Sequence, residues 1–172
     1  MRIPRKIWRA APALLFVFAG LAGPCTAQGQ DEHHHEMTER GDAAMGFNAA
    51  RTTHHFLLSD SGGSIEASAN DPTDVASRDA IRHHMAHITQ KFKAGDFDIP
   101  MLVHDQVPPG VPAMKRLKSA ISYKYSTTAG GARVTISTRN REALAAIHDF
   151  LRFQIEEHQT GDPTEVGRAP SS

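Results

Sequence analysis

The chain has 172 residues, with 19 Lys and Arg residues balanced by 19 Asp and Glu residues, 11 His residues and one Cys. This balance argues against a nucleic-acid-binding protein, whose footprint is a basic patch, and one Cys excludes an intramolecular disulfide. Histidine, the commonest protein metal ligand, is therefore the residue type through which the sequence points to chemistry.

The first predicted element is a secretory signal peptide over residues 1–27. Four basic residues precede an apolar stretch, 10–23, that is too short to span a bilayer comfortably. Small residues up to Ala27 favour cleavage there, and a lipid anchor at Cys25 is the less favoured alternative. Without this leader, 15 basic residues face 19 acidic ones, which gives a net charge of −4 and leaves no Cys. We expect a periplasmic or secreted protein with no stable membrane span and no nucleic-acid partner.

Residues 28–50 are polar and include Gly41 and Gly46, so we predict a flexible arm. The arm carries the densest histidine cluster of the chain, which is formed by His33, His34 and His35. A short His-rich tract binds Cu(II), Ni(II) or Zn(II) even when it is disordered. The tract therefore has a capacity for metal, and incidental solubility is an equally good interpretation.

The next predicted unit has the order ββα. Segments 52–58 and 64–69 are β-branched, aromatic or aliphatic and flank a Gly-Gly turn, which is typical of a hairpin. Asp74 or Ser77 can cap the helix that follows, and Gly95 suits the left-handed position at its end.

The helix of this unit carries the best metal candidate of the folded region. His83 and His87 are four residues apart and share a helix face, while His84 and His87 are three apart. The segment lacks the Glu of an H-E-x-x-H motif, so peptidase chemistry has no general base here. The alternative is a solvated helix flank that happens to be rich in histidine.

Two further histidines are expected to point inward. Strand alternation sends His54 to the face that carries Phe56, and His148 lies at the edge of an apolar helix stripe. They could be ordinary buried histidines with hydrogen-bond partners. Alternatively, His54, a histidine of the first helix and His148 converge on a zinc or copper ion with one open coordination position.

The connection 97–119 is rich in proline, and a short helix is expected near 111–119. It carries His104 beside Asp105. A carboxylate next to a ligand histidine could orient the ring or act as a general base. A loop with surface charges is the alternative.

A second ββα unit is predicted from strands 120–126 and 133–138 and a helix, 141–159, that is capped by Asn140. The predicted fold class is α+β: a ββα–ββα internal repeat forming a four-stranded antiparallel sheet with two helices packed on one face.

A single domain would span 51–162, followed by a flexible tail, 163–172. Phe150 and Phe153 widen the apolar arc of the second helix beyond what one sheet face can bury. We expect this arc to pack on the connection 97–119 or to form a homodimer through the 141–159 helix.

Three strings of the chain resemble a group of short, exported, His-rich bacterial proteins of no established function. These strings are 52–56, 95–104 and 150–162, and the likeness covers about residues 45–163. The resemblance implies export, and no catalytic role carries over. Some members are named as aspartate carbamoyltransferases, which these residues do not support, because the chain is too short for a two-domain transferase and has no phosphate-cradling loop.

Histidine density, the leader and the lack of thiols favour an exported metal-binding protein, a copper or zinc buffer, carrier or sensor. The alternative is a small periplasmic homodimeric ligand-binding or protein-interaction module with no metal role, and a His-centred metalloenzyme is less favoured. No motif for a nucleotide or a flavin is recognised, and no catalytic residue is identified, so the sequence leans away from an enzyme.

Overall fold

The computed structural model describes residues 27–166, with side chains from residue 35 onward. The helices are α1 (Ala27–Met45), α2 (Val75–Ala94), α3 (Asp98–His104), α4 (Val111–Arg116) and α5 (Arg141–Glu157). The strands are β1 (Thr52–Ser59), β2 (Gly62–Ala69), β3 (Ile121–Thr127) and β4 (Gly131–Thr138). Cys25 and the rest of the predicted signal peptide before residue 27 lie outside the described residues, as do residues 167–172 of the predicted tail.

The strands form one antiparallel sheet in the order β1-β2-β4-β3, which confirms a mixed α/β protein with a four-stranded antiparallel sheet. Two hairpins meet at the centre, where Ile65 of β2 lies opposite Val134 of β4. At one end of this contact Gly62 has a φ of 147°, and a Cβ there would lie 2.1 Å from the carbonyl oxygen of Ile136. Only glycine lets the two strands approach so closely.

Side-chain caps set the ends of the two long helices. Asp74 accepts a hydrogen bond from the N–H of Ser77 at the start of α2, and Asn140 does the same for Ala143 in α5. Gly95, with a φ of 80°, ends α2 in the left-handed conformation expected from the sequence.

One hydrophobic core joins the sheet to both long helices. Helix α2 contacts β2, β3 and β4, whereas α5 contacts β1, β2 and β4. The fully buried residues of this core include Ile81, Met85, Val134, Ile136, Ile147 and Leu151. Burying each such side chain stabilises the fold by about 1.5 to 3 kcal/mol.

The connection between the two halves of the sheet covers the wide apolar arc of α5. The ring centroids of Phe97 and Phe150 are 6.0 Å apart, and α4 lies beside α5. The connection therefore supplies one of the two partners predicted for this arc. Helix α3 was not predicted, because Pro100 favours a loop, although proline is tolerated in the first turn of a helix.

The segment predicted as a flexible arm, 28–50, is largely helical as α1. Met37 is 2% exposed, and the Arg40 guanidinium donates to the carbonyl oxygen of Val103 in α3 at 3.0 Å. Met37, Gly41 and Met45 recur every four residues and form a narrow apolar stripe. The polar composition of the segment obscures this stripe, which explains the difference from the prediction.

The chain beyond α5 is held for a short distance. The Arg152 guanidinium donates to the carbonyl oxygen of Thr164 at 3.0 Å, so the first residues of the predicted tail contact the domain. Between residues 27 and 166, no helix has both the length and the apolar character needed to cross a membrane.

Candidate functional site

A cavity of about 60 Å³ is lined by residues of β1, β2, α2, α3, α5 and the end of α1. Four imidazoles line it, and each comes from a different part of the chain. We call these residues the histidine cluster: His54, His84, His104 and His158. The remaining walls are mostly apolar and include Met45, Phe56, Ile65, Met85, Ile88, Phe92 and Val103.

Ring contacts connect the members of the histidine cluster. His54 stacks on His158 with ring centroids 6.2 Å apart, and His158 meets His104 edge-on at 5.0 Å. Phe47 stacks on His54 at 5.9 Å and contacts His84 edge-on at 5.6 Å. All four imidazoles therefore belong to one aromatic assembly.

Burial keeps two of these rings neutral. Burial, with a smaller contribution from His55, lowers the pKa of His54 to about 4. Burial also lowers the pKa of His84 to about 4, followed in size by the effects of His54, His87 and His83. A charged imidazolium loses more than a neutral ring when water is removed. Both rings are neutral at pH 7, the state in which a ring nitrogen can bind a metal.

His104 is the most buried member of the cluster, at 1% exposure. Its Nε2 lies 3.1 Å from Oε1 of Gln154, and its Nδ1 lies 3.8 Å from a carboxylate oxygen of Glu157. The contact with Gln154 is within hydrogen-bond distance and fixes the orientation of the ring, and Glu157 adds a longer electrostatic contact. The sequence predicts Asp105 for this position, but Asp105 is exposed and Glu157 of α5 supplies the carboxylate instead.

A carboxylate clamp holds the end of α5 against β1. Asp162 lies 2.8 Å from Nδ1 of His55 and accepts the backbone N–H of Phe56 at 2.9 Å and the hydroxyl of Thr160 at 2.7 Å. Burial alone would raise the pKa of Asp162, but these hydrogen bonds outweigh it and lower the pKa. Because Phe56 stacks on His158 at 5.4 Å, the clamp fixes the strand against which His158 packs.

The paired histidines of α2 do not share one environment. His84 points into the cavity, whereas His83 and His87 are exposed. The face of His83 and His87 is solvated and turned away from the cavity, and a metal site on it stays a prediction. Helical spacing alone cannot show which of three neighbouring histidines is turned inward.

His148 does not join the cluster. Its Nε2 lies 2.9 Å from the carbonyl oxygen of Ser59 and 3.1 Å from that of Gly62, so it fastens α5 to the β1–β2 turn. This corrects the predicted convergence of His148 with His54, because His158 occupies that position. His158 is not among the metal ligands predicted from the sequence, yet each of the three strings noted above contains one member of the cluster.

The histidine tract of α1 is described only in part. The side chains of His33 and His34 are not among those that the structure describes. His35 is exposed, and its Nε2 lies 3.4 Å from a carboxylate oxygen of Glu39. This i, i+4 pair is an ordinary contact on a helix surface.

A larger groove of about 420 Å³ opens between α1, the start of β1 and the end of α5. We call it the α1 groove. Met45, His54 and His158 line both the small cavity and the groove, so they form the wall between the two spaces. The other lining residues are small or hydroxyl-bearing apart from Met37: Thr38, Gly41, Ala49, Ala50, Thr52, Thr53 and Thr160.

The site offers neutral imidazoles, the thioethers of Met45 and Met85, and apolar walls. Among the described residues, no three His, Asp or Glu side chains are arranged to hold a metal ion, so a bound metal needs a ligand of another kind or a shift of the rings. Comparison with protein-family models, curated proteins and solved structures gives no match.

Proposed function

We propose that the protein is an exported transition-metal-binding protein, a copper or zinc buffer, carrier or sensor, whose site is the histidine cluster. The observation that supports this proposal is that four imidazoles from distant parts of the chain line one cavity. At least two of them, His54 and His84, are neutral at pH 7. Neutral imidazole is a good ligand for copper and for zinc.

The cost of this arrangement supports a role in binding. Removing an imidazole from water has a desolvation cost, which the lowered pKa values of His54 and His84 reflect, whereas an aliphatic side chain would fill the same space favourably. A domain of this size gains little stability from imidazoles in its core. The cluster is therefore better explained by a ligand than by packing.

Export fits the same chemistry. The predicted leader would direct the chain to an oxidising compartment, where thiolate ligands form disulfides. Imidazole and thioether ligands persist there, and the predicted mature chain has no Cys. The proposed localisation is periplasmic or extracellular.

The architecture of the site follows from an internal repeat, which we also propose. Each half has the order ββα, and each long helix is followed by Gly-Asp, at Gly95-Asp96 and Gly161-Asp162. The antiparallel contact of β2 with β4 at the sheet centre fits two equivalent units with both helices on one face. The histidine cluster would then lie at one end of this arrangement, where α1 and α3 are added.

The experiment is a metal titration of the untagged chain beginning at Gln28. The double variant His54→Ala/His158→Ala should lose a stoichiometric Cu or Zn equivalent that wild type retains. Two controls, His83→Ala/His87→Ala and His33→Ser/His34→Ser/His35→Ser, should keep it. Thermal unfolding checks that each variant is folded. Loss of metal in the His33–His35 variant alone would show adventitious capture and overturn the proposal.

The α1 groove favours a second candidate function, the binding of a small organic molecule. Its volume of about 420 Å³ is within the range of small-molecule sites, and its hydroxyl groups and two imidazoles could orient a polar ligand. Native mass spectrometry of protein isolated from an exporting host would then show an organic adduct that the His54→Ala variant loses. A homodimer through α5 has less support, because the chain itself covers the apolar arc of that helix.

A further inference from the structure

Met45, His54 and His158 are shared by the small cavity and the α1 groove. Met45 is the last residue of α1, His54 lies in β1, and His158 follows α5. The thioether and the two imidazoles thus lie at the boundary between the mostly apolar cavity and the larger α1 groove. Resting on the proposed function, the structure assigns these three residues as a site for Cu(I).

The types of donor in this wall select the ion. Thioether sulfur is a soft ligand that favours Cu(I), and imidazole binds copper well. Zn(II) instead favours four ligands, and in many sites carboxylate or water completes the set. The residues that line the cavity and the groove include no Asp or Glu among those the structure describes.

The charge of the ion leads to the same assignment. Moving an ion out of water costs a free energy that rises with the square of its charge, so a divalent ion pays about four times the penalty of a monovalent ion of equal size. Met45, His54 and His158 add no negative charge to offset it. Of the carboxylates recorded around the cluster, that of Glu157 lies 3.8 Å from Nδ1 of His104 and that of Asp162 accepts the backbone N–H of Phe56. The wall therefore suits a monovalent soft cation.

A folded turn holds Met45 in place. Asp42 accepts the backbone N–H of Ala49 at 2.7 Å and the side-chain amide of Asn48 at 3.1 Å, and this closes the chain immediately after α1. Gly46, with a φ of 77°, makes the reversal possible. The α1 groove leads to Met45 from outside, so a bound ion could pass to a partner by exchange of ligands.

The experiment compares Cu(I) and Zn(II) affinities for the mature chain by chelator competition without oxygen. Met45→Leu conserves volume and removes only the thioether. We expect it to weaken Cu(I) binding at least tenfold and to change Zn(II) binding less than threefold. Met101→Leu, in a part-buried methionine outside both spaces, should change neither. X-ray absorption of the Cu(I) form should show a sulfur ligand that Met45→Leu lacks.

The outcomes separate this inference from the proposed function. Equal Cu(I) affinities of wild type and Met45→Leu, or a sulfur signal that persists in the variant, would overturn the Cu(I) assignment. The proposed function would survive if His54→Ala/His158→Ala still abolished binding of either metal. If wild type bound neither metal stoichiometrically, both proposals would fail.

Discussion

Burial makes the imidazoles of His54 and His84 unlike histidines at the surface. With a pKa of about 4, each ring stays neutral in the folded chain, whereas in the unfolded chain it titrates near 6.5. Between these values the unfolded state binds more protons than the folded state, so stability rises with pH. The contribution of the two neutral rings to the free energy of unfolding is fully present above the pKa of histidine in the unfolded chain, 6.5. It is lost as the pH falls towards the pKa in the folded chain, about 4.

We therefore expect the metal-free protein to lose stability as the pH falls from 6.5 to about 4. At about pH 5 each ring would lower the free energy of unfolding by roughly 2 kcal/mol relative to neutral pH. Urea denaturation at both pH values measures this difference. His84→Leu cannot titrate and should show a smaller difference than wild type; an unchanged difference would contradict the burial of His84.

Asp162 helps to position the ring of His158 through Phe56. Its carboxylate accepts hydrogen bonds from Thr160 and Phe56 and pairs with His55, and Phe56 stacks on His158. Because its pKa is lowered in the folded state, this contribution is present above the ordinary pKa of an aspartate and is lost only in strong acid. The pH range in which this contribution is lost therefore lies below the range in which His54 and His84 titrate.

Asp162→Asn should reduce the free energy of unfolding by about 2 kcal/mol, because a neutral amide replaces an acceptor of several charge-assisted hydrogen bonds. It should also weaken metal binding by loosening the position of His158. Chemical denaturation measures the first effect, and metal titration measures the second. Asp79→Asn, an exposed carboxylate of α2 with 63% of its side chain accessible, is the matched control. Similar stability of the two variants would show that the clamp contributes little.

Among the elements, the approach of the connection to α5 depends on one glycine. Gly110 has a φ of 81°, and a Cβ there would lie 2.0 Å from the carbonyl oxygen of Ala146. Gly46 has a similar φ of 77°, but a Cβ there would meet nothing within 4 Å. Comparing substitutions at Gly110 and Gly46 therefore distinguishes the energetic cost of a backbone clash from that of a left-handed conformation.

Gly110→Ala should therefore destabilise the protein more than Gly46→Ala. The left-handed conformation costs each variant roughly 1 kcal/mol, and the clash adds roughly 2 kcal/mol or more to the first. Urea denaturation of both variants gives the comparison. Equal losses would indicate that α4 and α5 separate easily, and that the cover of the apolar arc is weak.

Elements with strong periodicity or caps could be predicted from the sequence, and the others could not. The four strands, α2 and α5 follow from alternation, from Asp74 and Asn140 as caps, and from turn glycines. Helix α1 was missed because its apolar stripe is only one residue wide in a polar segment. Helix α3 was missed because proline in a first turn resembles proline in a loop.

For the whole molecule, the candidate site is a product of long-range packing. Residues 54 and 158 are more than one hundred positions apart, and β1 and the end of α5 meet only because the second half of the chain folds back on the first. His54, His84 and His104 were expected to matter from their residue type. Their convergence with Met45 and His158 on one cavity depends on tertiary contacts that spacing cannot encode.

The location of a bound metal tests the central claim most directly. Crystals of the mature chain loaded with copper would be measured at the copper absorption edge, and an anomalous peak would locate the ion. The proposal predicts one peak at full occupancy at the histidine cluster, between His54 and His158. A peak at His83 and His87, or none outside the His33–His35 tract, would contradict it.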